Sequence, residues 1–443
     1  MSNFSQSSEP TEISNEAHKS LKETTIFLAE YASTLEAVGV QTSRIQANTI
    51  RIAKSFGYWC NIMMFPKTIS ITLHDEGREH SYTYVKKTPS MGLNFKINMK
   101  LSHLSWEAVD KKLSLSELWK KFNNVISEPR ESPWTVLILV SFANACFCRL
   151  FDGNFTSMAI VWIATFIGFF VRQQLTKRKW NVLAIFTICS FISTLIGATD
   201  ILFIHGGTED ISLGTSMLYL VPGVPLINGV MDIIDHNALN GIARITNASL
   251  LIICIALGLS ITVMVLGIDI TIVTKVVRPN ILLASVADGL YAAIAGLGFA
   301  VISNPPRKAL AYSAFLACVG HGIRYFLMHY PSLMLDQVSA STIAGFTIGL
   351  LAIPFAMHLH YPAEGFAFPA LLPMVPGMFA YKSIINTINI VRQSTEFTIK
   401  NVGDFFHNST LTILVMFGMV AGCVIPIFIF RRQSFSVTRK RGN

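Results

Sequence analysis

The sequence predicts a mainly α-helical polytopic membrane protein, with about ten transmembrane helices set as two inverted five-helix repeats behind a small cytoplasmic α/β domain. Three observations predict it. Of the 443 residues, 51% are hydrophobic and only 14% charged, with mean hydropathy +0.49; soluble domains carry about a quarter charged residues. Apolar runs long enough to span a bilayer recur from residue 134 onward. A Val-Pro-Gly sequence interrupts two of those runs, in "MLYLVPGVPLIN" (217–228) and "LLPMVPGMFAY" (371–381).

Residues 1–133 read as the cytoplasmic α/β domain. They hold 16 of the 35 Lys/Arg and 14 of the 26 Asp/Glu, leaving 19 and 12 for the other 310 residues. Leu21, Leu28, Tyr31, Leu35 and Val38 fall at helical spacing, and Gly39 ends that helix. Ile45, Ile52 and Phe56 make a second helical face. "TISITLHDEGREHSYTYV" alternates in period two about a Glu-Gly turn, which predicts a β-hairpin. "LSLSELWKKFNNVI" reads as a short amphipathic helix. His74, Asp75, Glu76 and His80 cluster in sequence and read as the solvated hairpin tip, not a metal site. The chain start lacks a basic segment followed by an apolar core, so no cleaved signal is expected and the domain is placed in the cytoplasm.

The expected spans are 134–151, 155–173, 181–204, 211–231 and 243–267, forming a first repeat over 134–267. The second set, 281–302, 309–328, 341–358, 366–389 and 409–430, forms a repeat over 281–430, with a basic cytoplasmic tail at 431–443. The loop "RQQLTKRKW" places the end of the second span inside by the positive-inside rule. Alternation from there puts both termini in the cytoplasm. Of the 19 basic residues beyond 133, 12 then fall inside and 7 outside. That bias accounts for net charge +9, and no basic stripe with interleaved aromatics points to nucleic acid.

The interruptions belong to a longer repeat. Gly168, Arg172 and Leu175 match Gly320, Arg324 and Leu327 at an offset of 152; Gly197 matches Gly349 at 152, and Pro222-Gly223 matches Pro376-Gly377 at 154. Repeats of five spans each cross the membrane in opposite senses, as in many secondary transporters. Proline in a helix interior costs about 3 kcal/mol. Pro222 and Pro376 lie about 11 and 10 residues into their spans, roughly 15 Å deep. At that depth, freed backbone groups are tolerated only beside protein or a water-lined cavity, where transporters hold ions and solutes. A plain proline kink is the alternative; the matched depth favours a site.

Ionisable groups inside a bilayer are costly and rarely idle. Asp288, His321 and Asp200 are the proton-coupling candidates, with Asp200 also readable as a helix-end residue wetted by the outer interface. Arg172 is expected to snorkel to the inner headgroups and Arg324 to meet a substrate carboxylate. Asp232, a substrate-binding candidate, alternatively caps the next helix or binds Arg244. Asn228 and Tyr381 are placed on the polar part of a solute held between the half-helix ends near Gly223 and Gly377. The seven cysteines form no CxxC pair, and no P-loop, HExxH or nucleophile elbow occurs. No cofactor, metal or enzymatic activity is expected.

The run "LVPGVPLINGVMDIIDHNALNGIARITNASL" resembles the core motif of the threonine/serine exporter family, here Pro222, Gly223, Pro225, Asp232, Gly241 and Arg244. "AVGVQTSRIQANTIRIAKSFG" and "FPKTISITL" are similar to the family's cytoplasmic region. "MVPGMFAYKSI" resembles the module that some members carry on a separate chain. The resemblance implies a bacterial inner-membrane exporter of threonine and serine driven by protons. It implies small dicarboxylates such as succinate as the alternative substrates. An uncoupled facilitator of the same fold is the competing mechanism, and a homo-oligomer is compatible with either.

Overall fold

The computed structural model describes residues 12–77, 79–268, 280–392 and 399–430; the start of the chain and the basic tail 431–443, both read above for orientation, lie outside them. The chain divides into one compact unit ending at Glu128 and a second beginning at Pro129.

In the first unit, α1 (Glu12–Ala37) and α2 (Thr42–Ser55) precede an antiparallel sheet of β1 (Trp59–Phe65), β2 (Thr68–His74) and β3 (Ser81–Lys87), in that order. Helices α3 (Phe95–Asp110) and α4 (Leu115–Ile126) follow. The helical spacing of Leu21, Leu28, Tyr31 and Leu35 does form the buried face of α1. The hairpin forms in the register Thr68↔Lys87 to His74↔Ser81, and Ile69, Ile71 and Leu73 turn inward. Two elements had no sequence expectation. β1 is apolar on both faces, with Met64 buried and Trp59, Met63 and Phe65 exposed, so its alternation was masked. α3 is held by Asn94, which caps Ile97 N at 3.2 Å, and by the Tyr31 hydroxyl, which donates to Leu101 O at 2.8 Å. The Ser114–Glu117 capping box starts α4.

The second unit begins with α5 (Pro133–Leu150), α6 (Phe155–Lys177) and α7 (Val182–Gly197), then a π-helical turn, Asp200–Ile204. Next come α8 (Glu209–Ser216), α9 (Gly223–Ile234) and α10 (Ala238–Leu266). The later half holds α11 (Ile281–Ile302), α12 (Arg307–His329), α13 (Gln337–Leu359), α14 (Glu364–Leu371), α15 (Gly377–Arg392) and α16 (Ile399–Ile429). Among the described residues, eight helices are long and apolar enough to cross a membrane. The bent pairs α8/α9 (66°) and α14/α15 (43°) make ten if each is one crossing. Leu282, Leu283, Val286, Leu290 and Ile294 form an exposed apolar stripe along α11, as a lipid-facing surface requires.

Both halves pack in the same way. In the first, α6 lies on α5 and α7, α8 touches α5, α6 and α7, and α10 covers α7 and α9. In the second, α12, α13, α14, α15 and α16 repeat those contacts around α11. Contacts between halves are reciprocal: α5 meets its counterpart α11, α9 meets α16 as α15 meets α10, and α9 meets α14 as α15 meets α8. Only a two-fold relation gives such self-complementary contacts. With each bent pair counted as one crossing, each half crosses five times, and that odd number reverses the second half relative to the first.

Small residues permit the tightest of these packings. Gly345 and Gly349 of α13 lie against the Met419 and Cys423 backbone of α16, and Gly422 of α16 lies against the Thr342 and Phe346 backbone of α13, so the two helices approach backbone to backbone.

Candidate substrate site at the crossed helix breaks

The two Pro-Gly breaks have the same backbone. Leu218–Leu220 and Leu372–Met374 each wind into a 3₁₀ turn. Val221 and Val375 then take φ −57°, ψ 125° and φ −56°, ψ 128°. Gly223 N donates to Val221 O at 2.8 Å and Gly377 N to Val375 O at 2.7 Å, closing a three-residue turn across each proline. α9 and α15 restart at Gly223 and Gly377, so each break exposes a fresh helix N-terminus.

The breaks also lie against each other. A Cβ on Gly223 would sit 2.6 Å from Leu372 Cδ2, and one on Gly377 would sit 3.1 Å from Leu218 Cδ2. Leu218 and Leu372 are themselves related by 154, so the contact is reciprocal. Tyr381, one turn into α15, lays its ring on Gly214 of α8, 2.8 Å from where a Cβ would be, and is buried. Pro225 and Asn228 follow on the first turns of α9, with Asn228 2% exposed.

Arg324 reaches this centre from α12, its Nη1 donating to Met374 O at 3.4 Å on the second break. One turn earlier on α12, His321 Nδ1 lies 2.5 Å from Asp288 Oδ2 of α11, with both side chains buried. The structure therefore groups Arg324, His321 and Asp288 beside Pro376-Gly377. Asp232 and Asp200 stand apart from them. Asp232 binds Arg244 at 3.2 Å.

Two expectations are corrected. Asp200 is fully buried, not wetted: on the π turn its carboxylate accepts from Ser157 Oγ (3.1 Å) and Gly206 N (3.0 Å). Arg172 does not reach for headgroups; its guanidinium lies over the Phe169 and Phe186 rings, 5.4 and 5.0 Å from their centroids.

Sequence reasoning missed Asp210 and Glu364, both buried at the starts of α8 and α14. The expected spans begin just after them, at 211 and 366, so neither was singled out. Their separation of 154 was the available signal. Among the described residues no group of three His, Cys, Asp or Glu side chains is arranged to hold a metal.

Paired helix breaks buried inside a bundle of apolar helices, with polar side chains nearby, are the construction of a multi-pass membrane transport protein. Residues 26–266 match the family model for the threonine/serine exporter ThrE, and residues 288–429 match a second threonine/serine exporter model, ThrE_2. The chain belongs to the threonine/serine exporter family, a family of transporters and not of enzymes.

Over 178 residues it is 30% identical to "Probable succinate transporter subunit YjjP" of Klebsiella aerogenes, covering 40% of this chain and 68% of that protein. The protein of the same name from Escherichia coli (strain K12) is 29% identical over 187 residues, 42% of this chain and 72% of its own length. An "Uncharacterized protein" of Haemophilus influenzae is 32% identical over 148 residues, covering 33% and 48%. No solved structure matches the chain.

Proposed function

We propose that the protein is a secondary active exporter of small hydroxy amino acids, threonine and serine, across the bacterial inner membrane, with both termini cytoplasmic. The observation that carries this reading is the reciprocal contact of the two breaks, Gly223 with Leu372 and Gly377 with Leu218. A solute held where two oppositely directed half-bundles meet is reached from either side as the halves rock. Its carboxylate faces the helix N-termini at Gly223 and Gly377 and the Arg324 guanidinium; Asn228 and Tyr381 contact its polar side. Pro222, Pro225 and Pro376 keep the backbone open at the site, and Asp232 braces α9 through Arg244.

Proton coupling is assigned to Asp288 and His321, the buried pair beside Arg324. A shared proton between a carboxylate and an imidazole can be released when Arg324 changes its interaction with the solute. Asp200 is left a bracing part, because its carboxylate is already engaged by Ser157 and Gly206.

A second reading, export of a small dicarboxylate, is favoured by the names of the two YjjP relatives. Their word "subunit" also favours an oligomeric assembly. Counterflow in proteoliposomes with labelled threonine, serine and succinate, with and without an imposed pH gradient, separates the readings. Exchange of threonine and serine that responds to the gradient supports the first. Exchange of succinate alone moves the assignment to the second. No exchange of any of the three sinks both.

A further inference from the structure

The two halves share a backbone, yet their polar interiors differ at equivalent positions. In the first half, the Tyr219 hydroxyl lies 3.0 Å from Ser193 Oγ and its ring packs against Gly168 and Phe169. Arg172 is covered by Phe169 and Phe186. In the second half Pro373 stands for Tyr219, Gly345 for Ser193, His321 for Phe169 and Val338 for Phe186. Every aromatic group around the arginine is thus gone or replaced by imidazole.

What remains around Arg324 is polar and unsatisfied. Arg324 is nine-tenths buried and makes one hydrogen bond, to Met374 O, leaving most of its five N–H donors without an acceptor among the described residues. His321 Nε2, which faces the Pro373 carbonyl, makes no hydrogen bond. Ser341 Oγ is fully buried and also without a partner. Helices α12 and α13 run antiparallel, with Gly320 against Ile348 and the Ala344 carbonyl. Arg324 lies one turn beyond Gly320 and Ser341 just before Ala344, so the two stand at one level. In the first half their counterparts, Arg172 and Cys189, lie within electrostatic reach of each other.

Buried donors of this kind are expensive to leave unmade. We propose that Arg324 and Ser341, beside the imidazole of His321, form a carboxylate-binding subsite belonging to the second half alone, its first-half counterpart being filled by Tyr219, Phe169 and Phe186. The solute is therefore asymmetrically held: its carboxylate, between the two helix N-termini, leans toward the second half, and Ser341 sets affinity for that group. This deepens the transport reading above and rests on it only for the solute's route, not for its binding.

Two measurements on the full-length protein test it. In detergent, threonine should raise the melting temperature, and threoninol, which carries CH₂OH in place of the carboxylate, should not. Ser341→Ala should move the threonine shift to about tenfold higher threonine concentrations and Ser341→Thr should keep it in place. In proteoliposomes Ser341→Ala should raise the half-saturating threonine concentration about tenfold at unchanged maximal rate, as expected for one hydrogen bond to a charged group. Cys189→Ala, at the equivalent position, should change neither. An unaltered threonine affinity in Ser341→Ala, or equal stabilisation by threoninol, overturns the subsite. A Ser341-dependent melting shift without any counterflow leaves the subsite standing and removes the transport reading instead.

Discussion

Phe147 and Phe299, at equivalent positions 152 residues apart, meet each other edge to face with ring centroids 5.6 Å apart. A residue that touches its own mate lies on the relating axis, so this pair marks the pseudo-two-fold between α5 and α11. The reciprocal Gly223–Leu372 and Gly377–Leu218 contacts place the breaks about the same axis. Duplication therefore produced a buried interface whose most irregular backbone comes twice to one place. Divergence of single side chains around that place then had a symmetric frame to act on.

If the solute sits between the breaks, bulk added there should block it without preventing insertion. Gly377→Leu meets Leu218, and Gly223→Leu meets Leu372. Overpacking of this sort costs about 1–3 kcal/mol, and displacement of the solute by that amount lowers affinity about tenfold or more. Counterflow should fall at least that far in both variants while membrane levels match wild type. Wild-type flux in both would remove the site.

Asp288 and His321 occupy the positions that Val136 and Phe169 hold in the first half, so the ionisable pair is an addition to the shared fold. Asp288→Asn takes away the carboxylate to which coupling is assigned above and preserves volume. Uphill export driven by an imposed pH gradient should be lost, while downhill exchange persists. Uphill export that survives in Asp288→Asn would assign coupling elsewhere.

The long apolar helices and both breaks were legible because apolar length and proline chemistry are local properties. The bend of each pair, and the reciprocal contact between pairs, depend on side chains far apart in sequence. Asn144 illustrates the difference. In the sequence it only weakened the first span; in the fold its amide donates to Thr165 Oγ1 (2.7 Å) and Thr215 O (2.9 Å), tying α5 to α6 and α8. Gly296 stands at the matching place in α11, beside Ala317 and Pro369, and no such tie exists there. Asp200 was misread for the same reason: its partners Ser157 and Gly206 are distant or in a loop, and nothing local announces them.

Gly349 lies against the Cys423 carbonyl, a backbone atom that cannot turn aside. Gly349→Ala should therefore force α13 from α16 and lower stability by about 1–3 kcal/mol. Gly365, whose added Cβ would meet nothing within 4 Å, is the control. Thermal unfolding in detergent should show a lower midpoint for Gly349→Ala and little change for Gly365→Ala. Equal midpoints would mean that the close α13–α16 approach contributes nothing.

Glu107 offers a pH test confined to the first unit. Partial burial alone would raise its pKa, but Lys111 and Lys121, each donating to Oε1 at 2.8 Å, hold it below the ordinary 4.5. A depressed folded pKa means that the unfolded chain binds more protons on acidification. The contribution is thus fully present above pH 4.5 and fades as pH falls through the lower folded value. Its size is roughly 0.5 kcal/mol, as for other solvent-screened pairs. Hydrogen exchange across α3 and α4 of the full-length protein, corrected for intrinsic rates, should lose protection below pH 4.5 in wild type. Glu107→Gln should be less protected at neutral pH and should lose less on acidification, because it has no carboxylate to protonate. Identical acid sensitivity in the two proteins would place the acid-labile bond elsewhere, as at Glu128 with Lys96 and Lys100, a second paired carboxylate beside α3.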